Sequence, residues 1–193
     1  MRYLIVLFVT LSFPTLSYGC VCENIDSTNV VNWIKDADLV IEGEYITNLS
    51  YSSETREHWN SENKGFDVLF KVTRVIKGRL LNDTIAIIQF ENGSCLTTFD
   101  EGKKYTILGD QILNFKCLEH LKPEADSDGE YPPTDNFQPP SYLNDEGSMN
   151  YNYCDDQETR YWNEITKNYI TLYTNYCTTY PASSQIGKLI RKE

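Results

Sequence analysis

Residues 20–22 read Cys-Val-Cys. In an extended chain, residues i and i+2 point to one side and i+1 to the other, so both cysteines can anchor downward while Val21 projects away. Bonded to the fold, such a segment loses its freedom on folding and not on docking. The nineteen residues before it carry Arg2, an apolar run and a small-residue ending at Ser17 and Gly19. That is the layout of an export signal, with an apolar run too short to span a bilayer. Cleavage there leaves Cys20 first, with a free α-amino group. Its nitrogen and the carbonyl oxygen of the same residue can close a five-membered chelate on a metal ion held by another protein. An α-amino group of pKa about 7.7–8.0 is partly neutral near pH 7, so a metal can take it. A catalytic zinc keeps one coordination position open for water. A rigid amino terminus that displaces this water, with Val21 in the apolar pocket beside it, would stop a zinc endopeptidase.

Other chemistry is sparse. The two histidines, His58 and His120, stand in polar segments without a second histidine or a pair of acids at metal-binding spacing. No G-x-S-x-G, H-E-x-x-H or phosphate-binding loop occurs. The expectation is a non-enzyme without a cofactor. "DSDGE" at 126–130 resembles the start of a calcium loop but lacks the third acid before the glycine and the closing glutamate, so it reads as a solvated acidic loop. Seven of the fourteen tyrosines crowd between Tyr151 and Tyr180, as amphipathic rings do at the border of core and water; a ligand-binding aromatic face is the alternative. The net charge of −11 argues against nucleic acid and anionic membrane as partners. Three sequons, Asn48-Leu-Ser50, Asn82-Asp-Thr84 and Asn92-Gly-Ser94, mean sugar only in a eukaryotic source.

The elements that must position these residues follow from pattern. Asp26 or Ser27 can cap a short helix with Val30, Val31 and Ile34 at helical spacing. "ADLVIEGEYITNL" reads as a strand with Gly43 a bulge or kink, and residues 51–65 as a polar loop. "FDVLFKVTRVIKG" alternates Phe66, Val68, Phe70 and Val72 against Asp67, Leu69, Lys71 and Thr73, the period of a half-buried strand. "DTIAIIQFENG" is a third strand, 105–108 a fourth and 150–154 a fifth. Residues 119–146 hold eight acids, one lysine and five of the seven prolines, too little apolar surface to offset ordering, and read as a mobile insertion. An amphipathic helix follows, with Tyr161, Trp162, Ile165, Tyr169, Leu172 and Tyr173 at helical spacings and strand as the alternative after Asn168. The basic tail reads as frayed. The expected fold is one mainly β domain over 20–193, a five-stranded Greek-key barrel of OB type with one short N-terminal and one C-terminal helix.

With "CVC" first, "DADLVIEGEYI" after a short helix, "FDVLFKVTRVIKG", "NGSC" ending the next connector and "EGKKYTIL", the chain resembles the tissue inhibitors of metalloproteinases and the netrin-like modules. The resemblance spans residues 20–108 and, more loosely, Cys154. It implies an OB fold and a protein partner such as a zinc metalloendopeptidase, its zinc met by the amine and carbonyl of Cys20. Val21 fills the adjacent pocket, and Asn92, Gly93 and Ser94 make a secondary contact. It also implies a Cys20–Cys95 bond and a bond from Cys22 to a cysteine on the last barrel strand. With 150–154 taken as that strand, the pairing is Cys22–Cys154 with Cys117–Cys177; the alternative is Cys22–Cys117 with Cys154–Cys177.

The chain departs from the inhibitors in lacking a cysteine between Cys22 and Cys95 and a cysteine-rich second domain, and in carrying the acidic insertion. A netrin-like adhesion or binding module without inhibition therefore stands beside the inhibitor reading. In both, the double staple adds stability of about 2–4 kcal/mol per bond. In a bacterial source Cys20 could instead be acylated, making an outer-surface lipoprotein. Ser17-Tyr18-Gly19 lacks the apolar residue three positions upstream that this processing needs, so plain cleavage and secretion are preferred.

Overall fold

The computed structural model describes residues 22, 27–49, 64–89, 96–118, 142–151 and 156–193. In chain order they form α1 (Ser27–Asp36), β1 (Leu39–Asn48), β2 (Lys64–Gly65), β3 (Val68–Lys77), β4 (Thr84–Ile88), β5 (Phe99–Asp100) and β6 (Lys104–Ile112). β7 (Asn114–Cys117), β8 (Tyr142–Leu143), β9 (Ser148–Tyr151), α2 (Asp156–Asn168), β10 (Thr171–Tyr173), β11 (Thr179–Pro181) and α3 (Gln185–Ile190) follow. β1, β3 and β4 make an antiparallel meander. β6 pairs back with β1 from Leu39↔Gly109 to Glu44↔Lys104, and β10 fills the gap between β4, to which it is parallel, and β6, to which it is antiparallel. The ring β1-β3-β4-β10-β6 is closed, so the protein is mainly β with a five-stranded barrel of OB type.

Side-chain alternation explains why this sequence closes. Leu39 and Ile41, Val68, Phe70 and Val72, Ile85 and Ile87, Tyr105 and Ile107, and Leu172 all point inward and fill the barrel. β4 is apolar without interruption because its other face is covered too. Ala86 and Ile88 pack outside the barrel with Phe115, Met149 and Trp162, beneath α2. On the opposite side Val40 and Leu108 face outward onto Val30, Tyr180 and Ile190, beneath α1 and α3.

The fifth barrel strand is not 150–154. β9 joins β7 and β8 in a separate three-stranded sheet, and β10 completes the barrel. The expected helix stops at Asn168, and Leu172 enters the barrel interior, following the strand alternative. Only the part of the acidic insertion at 119–141 lies outside the described residues; its end is ordered. Asn144 turns the β8–β9 hairpin by accepting from the amides of Glu146 and Ser148 at 3.1 and 2.8 Å, with Gly147 at φ 75 closing the turn. The tail is not frayed either. Ser184 caps α3 by accepting from the Gly187 amide at 3.1 Å, and Arg191 pairs with Glu42 on the outer face of β1, giving a third helix where two were expected.

α2 is held by a side chain imitating a strand. The Asn163 amide donates to the Phe115 carbonyl and accepts from the Phe115 amide, both at 2.9 Å, so the helix extends the ladder of β7. Beside it Trp162 is fully buried and stacks on Phe115 at 5.8 Å.

Gly43 is where β1 bends: the β1–β3 register shifts between Glu42 and Gly43, and a Cβ there would lie 2.2 Å from the Lys71 carbonyl oxygen and 2.6 Å from the Phe70 ring. Gly43→Ala is expected to destabilise the protein by about 1–3 kcal/mol in urea unfolding, because backbone and core must both shift.

Candidate functional site

β10 and β11 run along one edge of β6 as a single interrupted strand. Tyr173 faces Asp110 and Thr179 faces Ile107, so residues 174–178 oppose only Leu108 and Gly109 and must bulge outward. The bulge is tied internally. The Thr174 hydroxyl meets those of Thr178 and Thr179 at 2.9 and 2.8 Å, the Cys177 amide donates to Asn175 Oδ1 at 2.8 Å, and the Tyr180 hydroxyl donates to the Cys177 carbonyl. Burial pushes the Tyr180 phenol well above its ordinary pKa, keeping it a donor at all physiological pH.

Cys177 on this bulge is disulfide-bonded to Cys22, with Cα atoms 5.4 Å apart and 155 residues between them. This corrects both expected pairings, Cys22–Cys154 with Cys117–Cys177 and Cys22–Cys117 with Cys154–Cys177. The reason is the misplaced fifth strand. The resemblance directs Cys22 to the last barrel strand; that strand is β10, and the cysteine beside it is Cys177. Cys117, next to β9 through its pairing with Tyr151, is bonded to a cysteine outside the described residues.

The connector expected to carry the secondary contact starts at the same rim. The Thr174 amide donates to the Ile88 carbonyl at 3.2 Å, and the next residue along β4 is Gln89. Gln89 is buried and clamps the connector's stem. Its side chain accepts from the Thr97 amide at 2.7 Å and donates to the carbonyls of Thr97 and Phe66 at 2.8 and 2.9 Å, while its own amide donates to Asp67 Oδ1 at 2.8 Å. Thr174 therefore links the bulge that carries Cys177 to the end of β4 that leads into the stem at Gln89 and Thr97. Cys20, Val21, Asn92, Gly93, Ser94, Cys95 and Cys154 lie outside the described residues, as do His58, His120 and the 126–130 acids. Sequence reasoning missed Gln89 and Thr174, and counted Tyr180 only as one of the tyrosines at the border of core and water, where it stands buried with its hydroxyl bonded. Gln89 alone had a signal, as the long polar residue after the apolar run "IAII".

Elsewhere a groove of ≈ 510 Å³ runs between Asp38, Asp110, Asp145, Tyr142 and Tyr173. Partial burial raises the pKa of the Asp110 carboxyl above its ordinary 3.8 and the Asp38 charge adds to this, against the Asp38 amide bond and Lys77, which lower it. Asp38 itself accepts from the Gln111 amide at 2.9 Å. Among the described residues no group of three or more His, Cys, Asp or Glu side chains is placed to hold a metal, and no helix is long and apolar enough to cross a membrane. Comparison with protein-family models, characterised proteins and solved structures finds no match to this chain.

Two outcomes follow from this geometry. Non-reducing digestion is expected to yield one peptide joining Cys22 to Cys177, and the Cys22→Ser, Cys177→Ser double variant to lose about 2–5 kcal/mol in urea unfolding. For Asp110 the raised pKa means that its contribution to stability is full below pH 3.8 and is lost as pH rises through the folded value. Asp110→Asn should therefore gain stability at pH 7, by about 0.5 kcal/mol or less because the group is exposed, and the gain should vanish below pH 4 in thermal melts.

Proposed function

We propose that the chain is an exported protein-binding module related in design to the tissue inhibitors of metalloproteinases and the netrin-like modules, acting through its amino-terminal segment. The observation that carries this reading is the Cys22–Cys177 bond, which ties the segment to a braced bulge on the barrel rim beside the stem of the connector. A disulfide suits an oxidising, extracellular compartment, and an OB-type barrel offers its rim loops for recognition. The partner is a zinc metalloendopeptidase. Freed by cleavage after Gly19, the Cys20 amine and carbonyl oxygen replace the water on the partner's zinc and Val21 enters the adjoining apolar pocket. Asn92, Gly93 and Ser94 touch the partner alongside. The two anchoring cysteines hold this wedge in its bound shape beforehand, which lowers the ordering cost of association.

One extra alanine before Cys20 removes the α-amine from the chelating position while leaving the barrel and its disulfides intact. Inhibition of zinc endopeptidases by the secreted protein should fall at least a hundredfold in that variant. Unchanged inhibition would place the contact elsewhere. Absence of inhibition in the parent protein, with matrix or receptor binding that survives the extension, would make it a netrin-like adhesion module instead.

A further inference from the structure

The three sequons look alike in sequence, and the two that the structure describes differ in their setting. Asn48 ends β1, half-buried, with its Oδ1 atom sealed from solvent and its backbone in register with Val68 of β3. A sugar there has less open surface than at the exposed Asn82. Asn92 lies outside the described residues. Asn82 stands exposed in the turn between β3 and β4, next to exposed Asp83, at the end of β4 opposite Gln89 and therefore away from the rim that holds Cys22.

A second observation at the same turn points to a covering group. Leu81, the residue before Asn82, is 95 % exposed. With Val75, Leu80, Asn82 and the charged Arg74 and Asp83 it borders a shallow depression of ≈ 290 Å³. An isolated leucine on a surface needs no explanation, but a depression of mixed apolar and polar lining, edged by a sequon asparagine, suits a sugar, whose rings have apolar faces and polar rims. The apolar faces of a sugar's rings can rest on Leu81 and Val75 while its hydroxyls meet water.

We propose that Asn82 carries an N-linked glycan whose first sugars cover Leu81 and the depression beside it. In the transfer, the Asn82 Nδ2 atom forms a bond to C1 of the first N-acetylglucosamine and loses a proton. The bond from that C1 to the oxygen of a lipid diphosphate breaks, and the lipid diphosphate leaves. The donor is a lipid-diphosphate-linked oligosaccharide of a eukaryotic secretory compartment, and Thr84 supplies the third sequon position. The proposal rests on the export part of the functional reading and on a eukaryotic source, and not on inhibition. A glycan at this turn leaves the opposite rim open to a partner.

The test is site occupancy in the full chain secreted from eukaryotic cells. After peptide N-glycosidase in heavy-oxygen water, Asn82 is expected as labelled aspartate and Asn48 as unlabelled asparagine. Asn82→Gln should lose one glycan's mobility shift, and enzymatic removal of the sugar should raise binding of an apolar fluorescent dye, an increase that Leu81→Ser abolishes. Unmodified Asn82, or sugar on Asn48, overturns the proposal. If the chain is retained under its own leader, the export reading fails, and the same chain behind a standard secretory leader reads Asn82 separately.

Discussion

The pairing of β6 with β1 on one edge and with β10 and β11 on the other is the constraint on which the remaining structure depends. It closes the sheet into a ring, so that the barrel has no edge strand. It also forces residues 174–178 outward, because β10 and β11 must share one edge with fewer residues opposite. That bulge is where Cys177 stands, and its disulfide ties Cys22, 155 residues earlier, to the closed barrel. Outside the ring, α1 and α3 cover one face and α2 another, and the Asn163 ladder and the Glu42–Arg191 pair hold them in register with the strands.

Much of this was legible in the chain. Alternation in "FDVLFKVTRVIKG" marked β3, and of the four residues it set on one face Val68, Phe70 and Val72 fill the barrel, while Phe66 precedes the strand and lies outside that cluster. The apolar run "TIAII" marked β4, although only the structure shows that it is continuous because both faces are covered. Gly43 was marked as a bend, and it sits where β3 passes too close for any side chain. What escaped was non-local. β10 is three residues long and follows a helix rich in tyrosine, so Leu172 fits a helical and a strand pattern equally well. Its identity is set by parallel pairing with β4, more than eighty positions earlier, which no window of sequence displays.

That single displacement also misdirected the disulfides. The resemblance pointed Cys22 toward the last barrel strand, and 150–154 ends in a cysteine, whereas the true last strand is followed by one. Polar anchors were harder still. Gln89 and Asn163 act by satisfying backbone groups of segments distant in sequence, and a glutamine or asparagine that does this looks like any other until the fold is known. The rim stands out only once these anchors and the Cys22–Cys177 bond are seen together.

The proposed wedge requires a free amine at Cys20, and the mass of the amino-terminal peptide of the exported protein decides whether that amine exists. The peptide should begin at Cys20, unmodified at its α-amine and held to the rest of the chain only through disulfides. A diacylglyceryl or acyl mass on Cys20, or a peptide that still carries the leader, would contradict it, since either leaves no amine for a metal to take.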